Sequence, residues 1–330
     1  MTTDTGADSP GECEPSTVHR FEFDVPWPPK HVAAYVIDGP EPILIDAGAP
    51  DDDGQRALEA GLERIGYAPD EIDHVLVTHP HSDHIGQVPT LRAGGATVYA
   101  PAVALERLAR DPATVRSTVR DTAVSAGYHG SALENVVDDH VESFQRARRL
   151  LEPGSTVPIE RGATWPVGGR EFTAIATPGH ETSHLCFEAA LEETRVLFTG
   201  DALIEPFRAG AFDVGLEWGA YDGLERYATA MDRLEETTAT HGFPGHGPVF
   251  EEPRRVVEHT RERIETLISE TRDALAAIEP ATPLAVAERR LGSVRYTAPV
   301  MDTMAALGTL ERQGAVTFVL EDGVRRYRTI

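Results

Sequence analysis

The chain has 330 residues, 41% of them hydrophobic, enough for one large folded unit with a small one or for two of medium size. Its 54 acidic residues against 30 basic ones leave a net charge of −24, and 29 of the basic residues are arginine, Lys30 being the single lysine. No apolar run approaches the ~18 residues of a membrane span, which excludes a membrane-spanning helix, and an acidic body disfavours polyanionic partners.

Residues 1–16 are polar and acidic and read as a disordered tail. They lack the basic start and apolar stretch of a secretory leader, so the expectation is a cytoplasmic protein. Cys13 falls in this tail and Cys186 in an apolar run, far apart and in no metal-ligand spacing. No structural disulfide is expected, and Cys186 reads as a small core residue. Residues 31–37 and 42–46 read as two strands joined by the turn Asp38-Gly39-Pro40. Residues 54–65 carry helical spacing through Ala57, Leu58, Leu62 and Ile65, with Gly66 as a stop. Residues 73–78 read as a buried strand that runs into a histidine cluster, and 96–100 as another. The pattern is helical over about 101–150, strand-like over 157–177, 184–188 and 195–199, and helical again over 222–236. Such alternation predicts an α/β protein with mixed sheets.

A second unit is expected from about 252 to 330. It opens with an amphipathic helix over 254–278, with Val256, Val257, Ile264, Leu267, Ile268 and Leu275 facing inward. Thr282-Pro283 starts a short helix by cap and first-turn logic. A helix over 298–313 and a hairpin turning at Asp322-Gly323 complete it. Its 12 acidic and 12 basic residues cancel, so the whole excess of −24 lies in residues 1–251.

The chemistry concentrates in Thr78-His79-Pro80-His81-Ser82-Asp83-His84, three imidazoles and a carboxylate within six residues directly after a strand. Imidazole nitrogens suit zinc, and a carboxylate adds a hard ligand. Further pieces follow at strand ends: Asp46 in Leu44-Ile45-Asp46-Ala47-Gly48, His180 in Thr177-Pro178-Gly179-His180, Asp201 in Phe198-Thr199-Gly200-Asp201, and His246 in Pro244-Gly245-His246-Gly247. Each alone is an ordinary turn; the ordered set is specific.

In these residues the chain resembles the metallo-beta-lactamase superfamily, whose signature is His-x-His-x-Asp-His, over roughly residues 17–251. The resemblance implies an αβ/βα sandwich with two metal ions at one edge. It implies that His79, His81 and His180 hold the first ion, that Asp83, His84 and His246 hold the second, and that Asp201 bridges them. Asp46 would hydrogen-bond the ligands from behind, and so would His184. Asp83 would also handle a proton in catalysis. Two zinc ions per chain are expected, with iron or manganese also compatible with such ligands. Residues 101–150 would be a helical insert near the site mouth, where Tyr128, His129, Arg146, Arg148 and Arg149 are candidate substrate contacts, and Trp27 a candidate pocket wall. His241 reads as structural, and His31 receives no role.

The second unit resembles the winged-helix-like domain that follows the hydrolase domain in some members. Arg325, Arg326 and Arg328 on its hairpin could meet RNA phosphates, although packing against the body or against the partner of a homodimer accounts for its neutral charge equally. Three functions follow in order: hydrolysis of a small thioester or ester, in the manner of glyoxalase II; endoribonuclease action on single-stranded RNA; and a non-catalytic metal-binding module. The arginine-rich, lysine-poor acidic composition looks like that of a haloarchaeal protein suited to a saline cytoplasm, the alternative being an ordinary acidic protein from a GC-rich genome.

Overall fold

Alternation of side chains along the strands decides the layering. The computed structural model describes residues 16–330, so the tail reading falls almost wholly outside the described residues. In the first sheet, β1 (Val18–Asp24), β2 (His31–Ile37) and β3 (Ile43–Ile45) pair antiparallel; β4 (His74–Leu76), β5 (Thr97–Pro101) and β6 (Val157–Ile159) continue parallel to β3. The second sheet holds β7 (Thr164–Val167), β8 (Arg170–Ala176), β9 (Leu185–Leu191), β10 (Thr194–Gly200), β11 (His241–Pro244) and β12 (Phe250–Glu251) in that spatial order, with β11 parallel to β10 and the other neighbours antiparallel.

Along β2, Ala33, Tyr35 and Ile37 pack with Phe172, Phe187, Phe198 and Phe243 of the second sheet, whereas Val32, Ala34 and Val36 pack with helices on the other face. Both faces of β2 are therefore apolar, as a sheet covered on both sides requires. The helices on that outer face are α1 (Asp52–Arg64), α2 (Val88–Gly94), α3 (Ala102–Leu108), α4 (Pro112–Ala126) and α5 (Gly130–Leu151). Against the outer face of the second sheet lie α6 (Gly223–Glu235), α7 (Pro253–Ala276) and, beyond α8 (Pro283–Leu291), α9 (Ala298–Arg312). The result is the expected α/β sandwich of helices, sheet, sheet, helices.

Local chemistry sets the boundaries. Asp51 caps α1 by accepting from Gly54 N, and Thr282 caps α8 by accepting from Ala285 N, each contributing about 1 kcal/mol. The helical stretch expected over 101–150 is three helices broken at Asp111-Pro112 and at Gly127. Strand β1 has no counterpart in the expectations, although Phe21 and Phe23 are buried and Glu22 and Asp24 exposed along it. Beyond α9, β13 (Val316–Glu321) and β14 (Val324–Thr329) form a hairpin whose Val316 and Tyr327 pack on Leu275, Leu307 and Leu310. Among the described residues no helix is long and apolar enough to cross a membrane.

Candidate metal centre

Asp46 follows β3, residues 77–84 follow β4, residues 177–184 follow β8, Asp201 follows β10, and His246 stands two residues beyond β11. All lie past the carboxyl ends of strands, where a sheet's backbone bonding stops and side chains are free to turn inward. The two sheets are tied at this edge: Ala33 N donates to Gly245 O (2.7 Å), Tyr35 OH to Pro244 O (2.7 Å) and Leu185 N to Thr78 O (3.0 Å). Two glycines make room. A Cβ on Gly245 would stand 2.5 Å from His84 Cε1 and 2.6 Å from Asp201 Oδ1, and one on Gly200, at φ +45°, 2.6 Å from His184 Nε2.

The groups behind the imidazoles decide what they present to the centre. His180 Nδ1 donates to Gly210 O (2.9 Å), His246 Nδ1 to His31 O (2.6 Å) and His84 Nδ1 to Asp46 Oδ2 (2.8 Å). The Thr78 hydroxyl gives its one proton to Asp46 Oδ2 (2.8 Å), so its oxygen accepts from His79 Nδ1 (3.0 Å). In the neutral form each of these four rings carries its proton outward and turns a bare Nε2 inward. His79 Nε2 and His180 Nε2 each lie 3.0 Å from His81 Nδ1. The Oδ2 atom of Asp201 is 3.3 Å from His180 Nε2 and 3.4 Å from His246 Nε2, and Asp83 Oδ2 is 3.6 Å from His246 Nε2.

A proton on His81 Nδ1 could serve only one of its two neighbours, so the remaining lone pairs repel unless a cation lies among them. Two nitrogens bound about 2.1 Å from one ion stand at most about 4.2 Å apart, and 3.0 Å falls inside that limit. His84 Nε2 and Asp201 Oδ1 are buried without a hydrogen-bond partner, as ligand atoms are before an ion arrives. Three groups present donor atoms within 4.8 Å of one another: His79/His81/His180, His79/His84/Asp201 and Asp83/His84/His246. The centre thus has the donor chemistry to hold a divalent metal ion. Its electrostatics agree: burial, then neighbouring imidazoles, push His79 and His81 well below the usual histidine range, so they stay neutral. Burial also opposes charge on His84, but Asp201 and Asp46 outweigh it and raise that ring to about 10, a proton standing where a cation would serve.

The structure brings together all seven ligand candidates and the two supporting residues. His184 accepts from Asp201 N at Nε2 (3.0 Å) and donates to Thr177 Oγ1 (2.7 Å), so it orients the Asp201 backbone; burial drives its pKa to about 3. Cys186 is buried, as expected. Trp27 lines a cavity of about 570 Å³ that opens on His81, Asp83, His180, Asp201 and His246. The candidates from the insert are not among its walls. Tyr128 is buried, His129 precedes the first turn of α5, Arg146 pairs with Glu142, and Arg148 donates to Arg110 O. The insert instead contributes Arg107, His140 and Phe144 to a smaller cavity of about 150 Å³ on another side of His81, with Arg107 and Arg110 both donating to buried Glu217 at 2.8 Å. Residues 204–212 and the carbonyls of His31 and Gly210 have no forerunner in the sequence reading, since a carbonyl has no side-chain signature. A wider groove of about 710 Å³ beside the start of α7 is lined by none of the ligand candidates.

The family model described as Metallo-beta-lactamase superfamily matches residues 27–255. The chain is 27% identical over 238 residues to the lactamase-like protein adaB of Aspergillus niger, covering 72% of this chain and 55% of that one. It is 26% identical over 217 residues to the thioesterase pkgB of Emericella nidulans, covering 64% of this chain and 46% of that one. The chain spans about half the length of these two relatives. Its fold is similar to the crystal structure of a metallo-beta-lactamase family protein from Thermus thermophilus, with TM-score 0.79, 22% identity and coverage of 95% and 99% of the two chains.

Proposed function

The chain belongs to the metallo-beta-lactamase superfamily, and from that premise we propose that it is a metal-dependent hydrolase of a small thioester or ester. In this reading His79, His81 and His180 would hold one ion, Asp83, His84 and His246 a second, and Asp201 would serve both. Zinc fits the imidazole-rich set best, and iron or manganese would also be accepted. When bound, such a pair lowers the pKa of a shared water toward about 7 and stabilises charge on an acyl oxygen.

The chain's own residues supply the rest. Thr78, Asp46, Gly210 and His31 hold the four ring protons outward, so His79, His84, His180 and His246 need not rotate when an ion binds. Asp83 lines the open cavity, where its carboxylate would take a proton from attacking water. The observation that carries the reading is this set of inward Nε2 atoms beside two buried carboxylates. A thioesterase among the relatives supports the acyl preference. Against RNA, Arg325 stacks between Tyr221 (3.9 Å) and Phe318 (4.5 Å), and Arg326 pairs with Glu321 (2.8 Å), so two of the three hairpin arginines are already engaged. The complete donor set argues against a non-catalytic module. A winged-helix-like unit from about 252 and a saline cytoplasm remain parts of this proposal.

The test is to load the purified chain with zinc at high salt, determine metal by elemental analysis, and offer thioesters, esters and labelled single-stranded RNA. Two ions per chain are expected, with acyl hydrolysis that a chelator removes and that Asp83→Ala lowers by about a hundredfold or more. RNA cleavage without acyl hydrolysis would transfer the reading to the nuclease, and two bound ions with no turnover to the binding module.

A further inference from the structure

The cavity over the metal centre has walls from three distant parts of the chain. Trp27 comes from the β1–β2 turn, Ile204, Phe207 and Phe212 from the segment after β10, Tyr296 from the α8–α9 connection and Pro299 from the first turn of α9. At about 570 Å³ it is of the size that takes a small molecule. Tyr296 is 48% exposed, and Trp27, Phe207 and Phe212 are half-buried, so large apolar faces stand in contact with solvent here. Apart from the ligand candidates, Arg208 is the one charged side chain on the wall among the described residues, and it is not free. Its guanidinium pairs with Asp302 at 2.7 Å and lies over the Tyr227 ring at 5.5 Å, leaving its side chain 7% exposed. Arg295 stacks on the Tyr296 ring at 5.8 Å but does not line the cavity.

We propose that this cavity binds a bulky, uncharged, apolar group of the substrate, an extended alkyl or aromatic acyl moiety, clasped between Trp27 and Tyr296. The inference rests on the hydrolase reading and narrows its substrate class. The physical ground is that the wall offers aromatic area without an unpaired cation. Covering that area returns about 25 cal/mol per Å², whereas a carboxylate or phosphate set against these aromatic faces, away from the ligand candidates, would lose its hydration and find no unpaired cation. The α8–α9 connection and the first turn of α9 thereby acquire a role in specificity, since Tyr296 and Pro299 form part of the wall.

The experiment compares N-acetylcysteamine thioesters carrying acetyl, octanoyl, benzoyl and succinyl groups on the zinc-loaded protein. A calorimetric titration of metal-stripped protein with the non-hydrolysable thioether S-octyl-N-acetylcysteamine runs beside it. Octanoyl and benzoyl esters are expected to exceed the acetyl ester about tenfold or more in kcat/KM, with succinyl the poorest. Trp27→Ala and Tyr296→Ala should each cut the octanoyl-to-acetyl ratio about tenfold and weaken thioether binding to a similar degree. Equal turnover of acetyl and octanoyl esters, or a preference for succinyl, overturns the inference while leaving the hydrolase reading intact. Thioether binding that depends on Trp27 and Tyr296, with no thioester hydrolysed, upholds the apolar pocket and overturns the hydrolase reading. Absence of both binding and preference overturns the pocket.

Discussion

At the scale of single residues, the centre depends on protons held away from it. Asp46, at φ +58°, accepts from Thr78 N (2.8 Å), from the Thr78 hydroxyl and from His84 Nδ1. Asp46→Asn keeps the size and can still accept from Thr78 N, but it turns an amide N–H₂ toward His84. The His84 proton must then move to Nε2, into the space a cation needs. Such a change behind a ligand typically costs about 10–100-fold in metal affinity. We expect that loss for one of two zinc ions in a chelator competition, with the unfolding free energy changed by about 1 kcal/mol or less; unchanged zinc affinity would show that Asp46 does not set the tautomer. The ligand candidates are legible in the sequence because their side chains are rare, polar and closely spaced in His79–His84, and because each outlier ends a strand at a glycine turn. The acceptors for His180 and His246 are not legible. They are the backbone carbonyls of Gly210 and His31, and any residue there would offer the same oxygen.

At the scale of elements, one helix from the far end of the chain braces the site. Asp302 on α9 accepts from Ala211 N (2.7 Å) through Oδ1 and pairs with Arg208 through Oδ2 (2.7 Å). The segment so pinned carries Phe207 and Phe212 of the cavity wall and the Gly210 carbonyl that orients His180. Asp302→Ala leaves a buried guanidinium and a backbone N–H unpaired, and breaking a buried pair from one side costs about 3–5 kcal/mol. A denaturant titration should show a loss of that order, and adding Arg208→Met should recover part of it, since the stranded charge is gone while the unpaired N–H remains. A loss below about 1 kcal/mol would mean that α9 does not hold the segment. The sequence makes α7, α8, α9 and the hairpin readable through amphipathic spacing, the Thr282-Pro283 cap and Asp322-Gly323. It does not reveal which side α9 packs on, because Val300, Met301, Met304, Ala305 and Ala306 are buried around much of the helix, so no single apolar stripe points to one neighbour. Strand β1 escapes a sequence reading for a related reason: two buried phenylalanines between charged residues form too short an alternation to stand out from a loop.

At the scale of the molecule, charge is the dominant unbalanced quantity. The −24 excess belongs to residues 1–251, while 252–330 are neutral. The ion pairs do not offset it, because pairs such as Arg56–Asp53 and Arg146–Glu142 join exposed side chains and each contributes at most about 1 kcal/mol. Surface carboxylates therefore repel one another over distances comparable with the ~10 Å screening length at 0.1 M salt, and far less over the ~3 Å length at 1 M. The unfolded chain spreads the same charges apart, so repulsion at low salt falls mainly on the folded state. Raising KCl from about 0.1 M to about 2 M should lift the thermal midpoint by about 5 °C, a gain of roughly 3–4 kcal/mol for a chain of this size. Chloride is the salt to use, because sulfate would also strengthen apolar burial and confound the two effects. An equal concentration of sucrose, which carries no charge, should not reproduce the steep part of the rise below about 1 M. A midpoint that moves by less than about 2 °C across the chloride series would mean that the carboxylates are already far enough apart in the fold. The composition would then reflect codon usage rather than a saline cell.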